Sequence, residues 1–294
     1  MAARPVTTSL QSPIIAIDYS LVRWSIAFSS VLMGNYLLWA IGAPAFLKIG
    51  LLVVLLSILV IFLLQNLSAH LLISLFFIIA LLLLLGTPTD GWDVRSIWLF
   101  HAKRMFIDRS LYAQLDGYAP WSHNDYPGFV PTLSATFAVA MGYWNEVVPK
   151  SANVFVMLPA VCLLVSILEQ RHHILLLFVL ILLIGRHFIF AGWMDPLLAL
   201  YTTAFASMLY LSTTFQPQNN DTHSQNWSLL VALAFTSAGL LLVKNEGSAV
   251  VLAVAVSLLI SRLFLSSVIN IKRSVIAAVA ISAIPLAWWK IACV

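Results

Sequence analysis

The chain has 294 residues, of which 62% are hydrophobic and only 9% charged, and its mean hydropathy is +0.99. These values exclude a soluble globular domain, whose residues are nearer half apolar. The formal net charge of +4 arises from basic residues scattered around the ends of apolar segments, as membrane topology requires, so it does not indicate binding to nucleic acid. Apolar segments of about 20 residues recur without strand-like alternation, which predicts an all-α, polytopic transmembrane bundle.

The N-terminal segment, residues 1–20, is mildly polar and lacks a basic cluster leading into an apolar core. It therefore predicts no cleavable signal peptide, and the first span would act as its own insertion signal. We treat residues 1–294 as a single transmembrane domain. Because the sequence stops directly after an apolar segment, we expect it to be a piece of a longer protein. Cys162 and Cys293 lie in apolar segments and are predicted to be buried structural thiols.

Apolar length predicts nine spans, of which the first three lie within residues 1–86. An additional apolar piece, residues 128–148, contains Pro131 and Gly142 and either crosses the membrane or returns as a re-entrant helix. The prediction is thus about nine to ten membrane segments. The nine spans are 24–42, 46–64, 69–86, 151–169, 173–190, 196–214, 228–243, 248–265 and 274–292.

The path of residues 128–148 decides which polar residues share a side of the membrane. With a cytoplasmic N-terminus, the polar loop 87–127 is extracytoplasmic. A re-entrant 128–148 then places Asp195 and the stretch 244–246 on that same side, whereas a full crossing places them in the cytoplasm. We adopt the re-entrant path because ionisable groups at membrane depth tend to face a shared polar cavity. It also leaves these basic residues cytoplasmic: Arg4, Arg23, Arg171, Arg262, Lys272 and Arg273.

The loop 87–127 holds much of the charge of the chain, and its first edge carries Asp90 and Asp93 directly after an apolar run. Both carboxylates are therefore expected at the level of lipid head groups. Beyond them, apolar residues alternate with basic ones in the pattern of an interfacial amphipathic helix. Two plainer interpretations stay open, a simple connector and an N-terminal helix cap formed by Asp93. The basic side is expected to carry Arg95, His101, Lys103 and Arg104.

The second edge of the loop reads His-Asn-Asp-Tyr-Pro at residues 123–127. His123 and Asp125 could bind a metal or orient a substrate, although two residues at this spacing are weak evidence for a metal site. Tyr126 and Pro127 are also typical of an ordinary start to a helix.

Two later motifs place charge beside hydrocarbon. Asp195 precedes a proline at the mouth of a predicted helix, where it is either functional or an ordinary helix start. Lys244 and Glu246 lie between two strongly apolar runs, so they need a partner or a function. A tight polar turn with a snorkelling Lys244 is the plainer alternative. If the turn faces outwards, Lys244 could contact a phosphate.

Taken in order, these motifs resemble the GT-C class of polytopic glycosyltransferases, particularly bacterial members related to the dolichyl-phosphate-mannose–protein mannosyltransferases. The resemblance covers residues 86–250 and depends on the ordered set of motifs, since no single motif is diagnostic. The motifs are Asp90-Gly91-Trp92-Asp93, Ser96-Ile97-Trp98, Ala102-Lys103, Asp125-Tyr126-Pro127, Met194-Asp195-Pro196 and Lys244-Asn245-Glu246-Gly247.

The resemblance implies an enzyme of the bacterial inner membrane that transfers a sugar from a polyprenyl-phosphate carrier to an acceptor hydroxyl of a glycan, lipid or protein. By this resemblance Asp93 is the catalytic base, with Asp90 second. The acidic pair usual in the family is Asp-Glu, whereas Val94 follows Asp93 here, which weakens both the base assignment and any divalent metal site. Substrate contacts are expected from Lys244, Glu246, Asp195, Asp125, His123, Lys103, Arg104 and Arg95.

Two other functional classes compete with this hypothesis. A transporter or flippase for a lipid-linked or anionic solute would carry its charge near the middle of the bilayer and often shows paired repeats. This sequence shows no repeat, and its charge lies at predicted helix ends. A structural assembly subunit would leave residues 244–246 without an explanation.

Overall fold

A computed structural model describes residues 16–65, 67–111, 120–185, 188–214, 222–264 and 273–293. Every regular element in these ranges is helical, which confirms the all-α prediction. The elements in chain order are α1 (Tyr19–Ala40), α2 (Ala45–Leu63), α3 (Ser68–Gly86), a π-helical turn (Val94–Trp98), α4 (Leu99–Asp108), a 3₁₀ turn (Pro120–Ser122), α5 (Phe129–Met141), a 3₁₀ turn (Pro149–Ser151), α6 (Ala152–Ser166), α7 (Arg171–Gly185), α8 (Asp195–Thr214), α9 (Thr222–Val243), α10 (Glu246–Phe264), α11 (Arg273–Ser282) and α12 (Ile284–Cys293).

Seven segments in the described residues are long and apolar enough to cross a membrane, which supports a membrane-embedded helical protein. They correspond to seven of the nine predicted spans. The predicted spans 173–190 and 248–265 appear instead as shorter apolar helices, Arg171–Leu183 and Glu246–Ser261. The seven long segments are Tyr19–Ala40, Ala45–Leu63, Ser68–Gly86, Pro149–Ser166, Asp195–Thr214, Ser224–Val243 and Arg273–Ile291.

Contacts between helix ends define the two ends of the bundle. The amide of Asp18, at the start of α1, donates to the carbonyl of Ser166 at the end of α6 over 2.8 Å. At the other end, Lys150 Nζ donates to the carbonyl of Thr87, which directly follows α3. The segment leading into α6 therefore begins beside the end of α3. We call the end with Thr87 and Lys150 the loop face, because residues 87–127 start there.

Helix α5 begins and ends near the loop face. Its 13 residues span about 20 Å at 1.5 Å per residue, short of the roughly 30 Å of a bilayer core. Gly128, before the helix, lies against Met105, and Glu146, after it, approaches Arg95 at 3.6 Å. Both flanks thus contact residues 95–105, as the re-entrant path requires.

A buried polar network fixes α5 against α1. Trp39 Nε1 donates to Thr136 Oγ1 over 2.8 Å, and Thr136 Oγ1 lies 2.7 Å from Asn35 Oδ1. Asn35 Nδ2 in turn reaches Thr132 Oγ1 at 3.3 Å. Hydrogen bonds between helices satisfy groups that hydrocarbon cannot, so this network sets the position of the short helix. It also fixes the loop edge that leads into α5.

The amphipathic helix predicted after Asp93 appears as the π-helical turn and α4, but one detail of the prediction is wrong and one alternative is excluded. His101 is 1% exposed and lies on the buried side with Met105, not on the basic side. Asp93 has helical backbone angles and its side chain makes no capping hydrogen bond. The capping explanation for Asp93 is therefore excluded. Cys162 is a buried free thiol, as predicted, and the side chain of Cys293 lies outside the described residues.

Candidate functional site

Close packing between α8 and α9 brings two distant charges together. A Cβ on Gly239 would lie 2.2 Å from Tyr201 Cε1, so only glycine permits the backbone of α9 to approach that ring. Asp195 lies six residues before Tyr201, and Lys244 lies five residues after Gly239. Because the two helices run in opposite directions, Asp195 and Lys244 reach the same end of the bundle.

A tight turn joins α9 to α10 and fixes Lys244 beside Glu246. The amide of Gly247 donates to the carbonyl of Lys244 over 3.0 Å. A Cβ on Gly247 would lie 1.9 Å from the carbonyl oxygen of Leu240, so a larger residue would force the two helices apart. The tight polar turn, which was the plainer alternative, is thus present, and it holds Lys244 and Glu246 in a defined arrangement.

Lys244 is a cation held between two carboxylates. Its Nζ lies 2.7 Å from Asp195 Oδ1 and 3.4 Å from Glu246 Oε1. The lysine side chain is 14% exposed, whereas Asp195 and Glu246 are about half exposed, at 53% and 52%. Burial alone lowers the pKa of Lys244, but the hydrogen bond to Asp195 and the two negative charges outweigh it and raise that pKa. The ammonium is therefore charged at neutral pH.

The second edge of the loop meets this turn through Asp125. Asn245 Nδ2 donates to Asp125 Oδ2 over 2.5 Å. The backbone carbonyl of Asp125 accepts from Lys290 Nζ at 2.9 Å and from Trp289 Nε1 at 3.3 Å. Helix α12 therefore supplies a second cation, and residues separated by more than a hundred positions converge on Asp125, Asn245 on its carboxylate and Lys290 on its backbone carbonyl. We call Asp125, Tyr126, Asp195, Lys244, Asn245, Glu246 and Lys290 the Lys244 cluster.

Tyr126 closes one side of the Lys244 cluster. Its ring stacks on Trp98 with centroids 5.3 Å apart and on His123 with centroids 4.9 Å apart. Its hydroxyl donates to Glu246 Oε1 over 3.4 Å. Burial and the neighbouring Glu246 raise the pKa of Tyr126, so the hydroxyl keeps its proton and acts as a donor. His123 thus stacks against the site without contacting Lys244.

The buried His101 holds residues 122–124 of the loop through hydrogen bonds. Its Nε2 lies 3.3 Å from Asn124 Oδ1, and its ring also bonds to the backbone of Ser122. Burial lowers the pKa of His101 to about 4, against the smaller raising effects of these hydrogen bonds and of Asp125. The imidazole is therefore neutral at physiological pH, and it holds residues 122–125 without adding charge to the site.

The first edge of the loop forms a separate group of charges around Lys150. This lysine is 2% exposed, bonds to the carbonyl of Thr87 and experiences the charges of Asp90 and Glu146. Arg95 approaches Glu146 at 3.6 Å. Within the described part of the chain, the half-buried Asp93 carboxylate takes part in no ion pair or hydrogen bond, so it is available to a ligand. We call Asp90, Arg95, Glu146 and Lys150 the Lys150 cluster, and Asp93 follows Asp90 by three residues.

The two clusters adjoin through the turn before α8. A Cβ on Gly91 would lie 2.7 Å from Trp193 Nε1, and one on Gly192 would lie 2.8 Å from Val94 Cγ1. Gly192 also has a φ of 106°, which L side chains rarely adopt. The backbone between Asp90 and Asp93 therefore packs against the turn that leads directly into Asp195.

Two predicted substrate-binding residues lie apart from the Lys244 cluster. Arg104 pairs with Asp108 at 2.8 Å along α4, and Lys103 is exposed on the same helix. No contact among the described residues links either one to Lys244. Of the remaining predicted residues, Asp93 adjoins the Lys150 cluster along the chain, His123 stacks on Tyr126, and the others belong to one of the two clusters.

Three residues of the Lys244 cluster were not predicted as site residues, for different reasons. Asn245 and Tyr126 lie inside recognised motifs, but their partners are 120 residues away, which local patterns do not reveal. Lys290 was treated as part of the last span. Its one signal is that it is a lone cation in an apolar helix, and such residues are functional candidates by default.

Metal binding and similarity to known proteins add no further constraint. Among the described residues, no group of three or more His, Cys, Asp and Glu side chains is arranged to hold a metal ion. Comparisons with known protein families, curated proteins and solved structures find no match. Any functional conclusion must therefore come from the chemistry of the two clusters.

Proposed function

We propose that this protein is a membrane glycosyltransferase that takes a sugar from a polyprenyl-phosphate carrier and transfers it to an acceptor hydroxyl on the extracytoplasmic face of a bacterial inner membrane. The observation that carries the proposal is the Lys244 cluster. It holds Lys244 between two half-exposed carboxylates and Lys290 against the backbone carbonyl of Asp125, at the ends of membrane-spanning helices. A phosphate at head-group level would meet both cations.

An apolar cavity next to the Lys244 cluster suits the lipid part of such a carrier. Its volume is about 390 Å³, and it lies between α9, α10, α11 and α12. Ser248, one helical turn after Lys244, lines it together with Leu241 and Val251. The remaining lining is almost entirely aliphatic. A prenyl chain in this cavity would keep its phosphate near Lys244.

The proposed reaction is a single displacement with inversion at the anomeric carbon. The acceptor oxygen forms the new bond to that carbon, and its proton passes to the Asp93 carboxylate. The bond between the anomeric carbon and the phosphate oxygen breaks, and its electrons leave with the polyprenyl phosphate. Lys244 and Lys290 stabilise the negative charge that develops on this leaving group. Asp90, close to the charge of Lys150, is the second candidate for the base.

The contacts of α5 support the topology that this reaction needs. A re-entrant α5 leaves both clusters on one side of the membrane, and a cytoplasmic N-terminus makes that side extracytoplasmic. The charges lie at helix ends, whereas a transporter concentrates them near the bilayer midplane. Cysteine labelling at positions 195 and 244 tests the topology, and cytoplasmic access to either position would contradict it.

Replacement of Asp93 tests the chemistry. The assay uses membranes of a deletion strain that contain the variant at the wild-type level. In these membranes Asp93→Asn should abolish sugar transfer from a radiolabelled polyprenyl-phosphate sugar. Asp108→Asn is the matched control, because Asp108 pairs with Arg104 on α4 and lies in neither cluster. Unchanged sugar transfer in Asp93→Asn would show that Asp93 is not the general base. The same experiment with Asp90→Asn would then identify or exclude the second candidate.

A further inference from the structure

Three aromatic rings form a continuous stack at the second edge of the loop. Trp98, which is 3% exposed, packs against Tyr126 with ring centroids 5.3 Å apart and ring planes inclined by 21°. Tyr126 packs in turn against His123, with centroids 4.9 Å apart and planes inclined by 18°. The stack therefore runs from a buried indole outwards to an exposed imidazole. Among the described residues, Tyr126 is the one aromatic partner of His123, so the outer face of the imidazole carries no ring.

The backbone holds His123 in an unusual conformation. Its φ is 51°, in the left-handed region that residues other than glycine seldom adopt. Such a conformation persists where the surrounding contacts fix both sides of it, and it is frequent at binding sites. Here the amide of Tyr126 donates to the carbonyl of His123 over 2.9 Å, which closes a tight turn. The two residues inside that turn are anchored by hydrogen bonds to His101 and Asn245, so the imidazole has a fixed orientation.

The stack adjoins the proposed phosphate contact. The Tyr126 hydroxyl donates to Glu246 Oε1 over 3.4 Å, and the same carboxylate oxygen lies 3.4 Å from Lys244 Nζ. One carboxylate oxygen thus separates the stack from the ammonium. In a polyprenyl-phosphate sugar a single oxygen joins the phosphorus to the anomeric carbon, so the sugar lies directly beside the phosphate. A carrier whose phosphate contacts Lys244 therefore holds its sugar within reach of this stack.

The exposed face of a neutral aromatic ring suits a sugar better than it suits a phosphate. The π-electrons make that face negative, so it attracts the weakly positive C–H groups along one side of a pyranose and repels an anion. The hydroxyl groups of a sugar also need acceptors. The half-exposed carboxylate of Glu246 and the exposed carboxylate of Asp125 supply them beside the stack.

We propose that the outward face of His123 is the surface on which the sugar of the carrier stacks, with Tyr126 and Trp98 holding that face in place. The inference rests on the proposed function, because it takes the phosphate of the same carrier to lie at Lys244. It assigns His123 to the sugar and not to the phosphate or to a metal. The matching ligand is a pyranose, since its C–H groups line one side of the ring.

Binding of paired lipids tests this surface. Isothermal titration of the purified full chain in detergent compares short-chain polyprenyl phosphate with the same lipid carrying mannose, glucose or galactose. We expect the wild type to bind at least one of the sugar-bearing lipids about 2- to 10-fold more tightly than the sugar-free lipid, the range for one aromatic contact. His123→Asn tolerates the left-handed backbone but removes the ring, so it should abolish this difference. His123→Phe keeps a flat ring and should retain the difference.

The sugar-free lipid separates this role from a structural one. His172→Asn is the matched control, because His172 is an exposed histidine stacked on His173 at the start of α7, and it should bind both lipids as the wild type does. An equal loss of affinity for both lipids in His123→Asn would overturn the proposal, because His123 would then act on the phosphate or hold the loop.

The other outcomes distinguish the sugar surface from the proposed function. A preference for the sugar-bearing lipid that survives in His123→Asn, or that is lost in His123→Phe, would overturn the proposal. A wild type that binds both lipids equally would overturn it as well, while leaving the phosphate contact at Lys244 intact. A wild type that binds neither lipid would refute the proposed function, and the sugar surface with it.

Discussion

Replacement of Lys244 and of its carboxylate partner should have opposite effects on phosphate binding. Lys244 Nζ lies 2.7 Å from Asp195 Oδ1, but Asp195 is 53% exposed, so solvent screens the pair. A pair of this kind contributes up to about 1 kcal/mol to the free energy of unfolding. The contact with Glu246 is longer, at 3.4 Å, and contributes less. Lys244→Gln should therefore remain folded, with a small decrease in stability.

Binding should respond more strongly than stability. If Lys244 contacts the phosphate of a polyprenyl carrier, Lys244→Gln removes one charge-assisted hydrogen bond worth about 1.5–3 kcal/mol, or roughly 10- to 100-fold in affinity. Asp195→Asn removes a carboxylate that competes with phosphate for the same ammonium. It should therefore bind at least as tightly as the wild type. The assay is isothermal titration of a short-chain polyprenyl phosphate into the purified protein in detergent, with Lys103→Gln as the charge-matched control.

The two variants distinguish an anion site from a structural ion pair. Equal losses of affinity in Asp195→Asn and Lys244→Gln would refute the reasoning, because Asp195 would then serve to hold Lys244 in place. An unchanged affinity in Lys244→Gln would refute it more directly. A double-mutant cycle on unfolding should give a coupling of no more than about 1 kcal/mol, and a much larger value would also show that the pair is structural.

Three further predictions concern the supports of the site. Burial lowers the pKa of His101 from 6.5 to about 4, so the folded state binds a proton on this ring less readily than the unfolded state does. The free energy of unfolding should therefore be highest above pH 6.5 and should decrease as the pH falls towards 4, by an amount on the order of 3 kcal/mol. His101→Gln should flatten that part of the pH dependence in thermal unfolding. Thr136→Val deprives Trp39 Nε1 of its acceptor and should cost about 1–3 kcal/mol in unfolding free energy by chemical denaturation. Asn245→Ala breaks the hydrogen bond to Asp125 and should decrease the free energy of unfolding by about 1 kcal/mol. The double mutant with Asp125→Asn should show the same decrease, because both changes act on one hydrogen bond.

The membrane character of the fold could be predicted because it depends on apolar length alone. The first three spans and the segments at 196–214, 228–243 and 274–292 all appear as helices or pairs of helices at the expected places. The path of residues 128–148 could not be derived from hydropathy, because a short buried helix and a crossing helix are equally apolar. The bonds of Asn35 and Trp39 to Thr132 and Thr136 fix α5 against α1, and hydroxyl groups in an apolar segment do not reveal such partners.

Part of the candidate site could be predicted from the sequence, because a charged residue beside hydrocarbon needs a partner. Asp195, Lys244 and Glu246 stood out because charges next to hydrocarbon need partners, and the structure shows them as partners of one another. His101 was placed on the wrong side of its helix because a histidine was counted as basic. Burial makes it neutral, so it packs like an apolar residue with one hydrogen-bonding edge.

The turn before α8 gives the two edges of the loop a common support. Gly192, whose φ is 106°, lies against Val94 and against the aliphatic part of Lys150, so it contacts the first edge. Three residues later, Asp195 holds the ammonium of Lys244, whose neighbour Asn245 bonds to the second edge. A displacement of this turn would therefore shift the Lys150 and Lys244 clusters together. The two described edges of the loop, residues 87–111 and 120–127, thus form one wall of the proposed site, and α8, α9 and α12 form the other. The proposed base and the proposed phosphate contacts lie on the two sides of a single glycine turn.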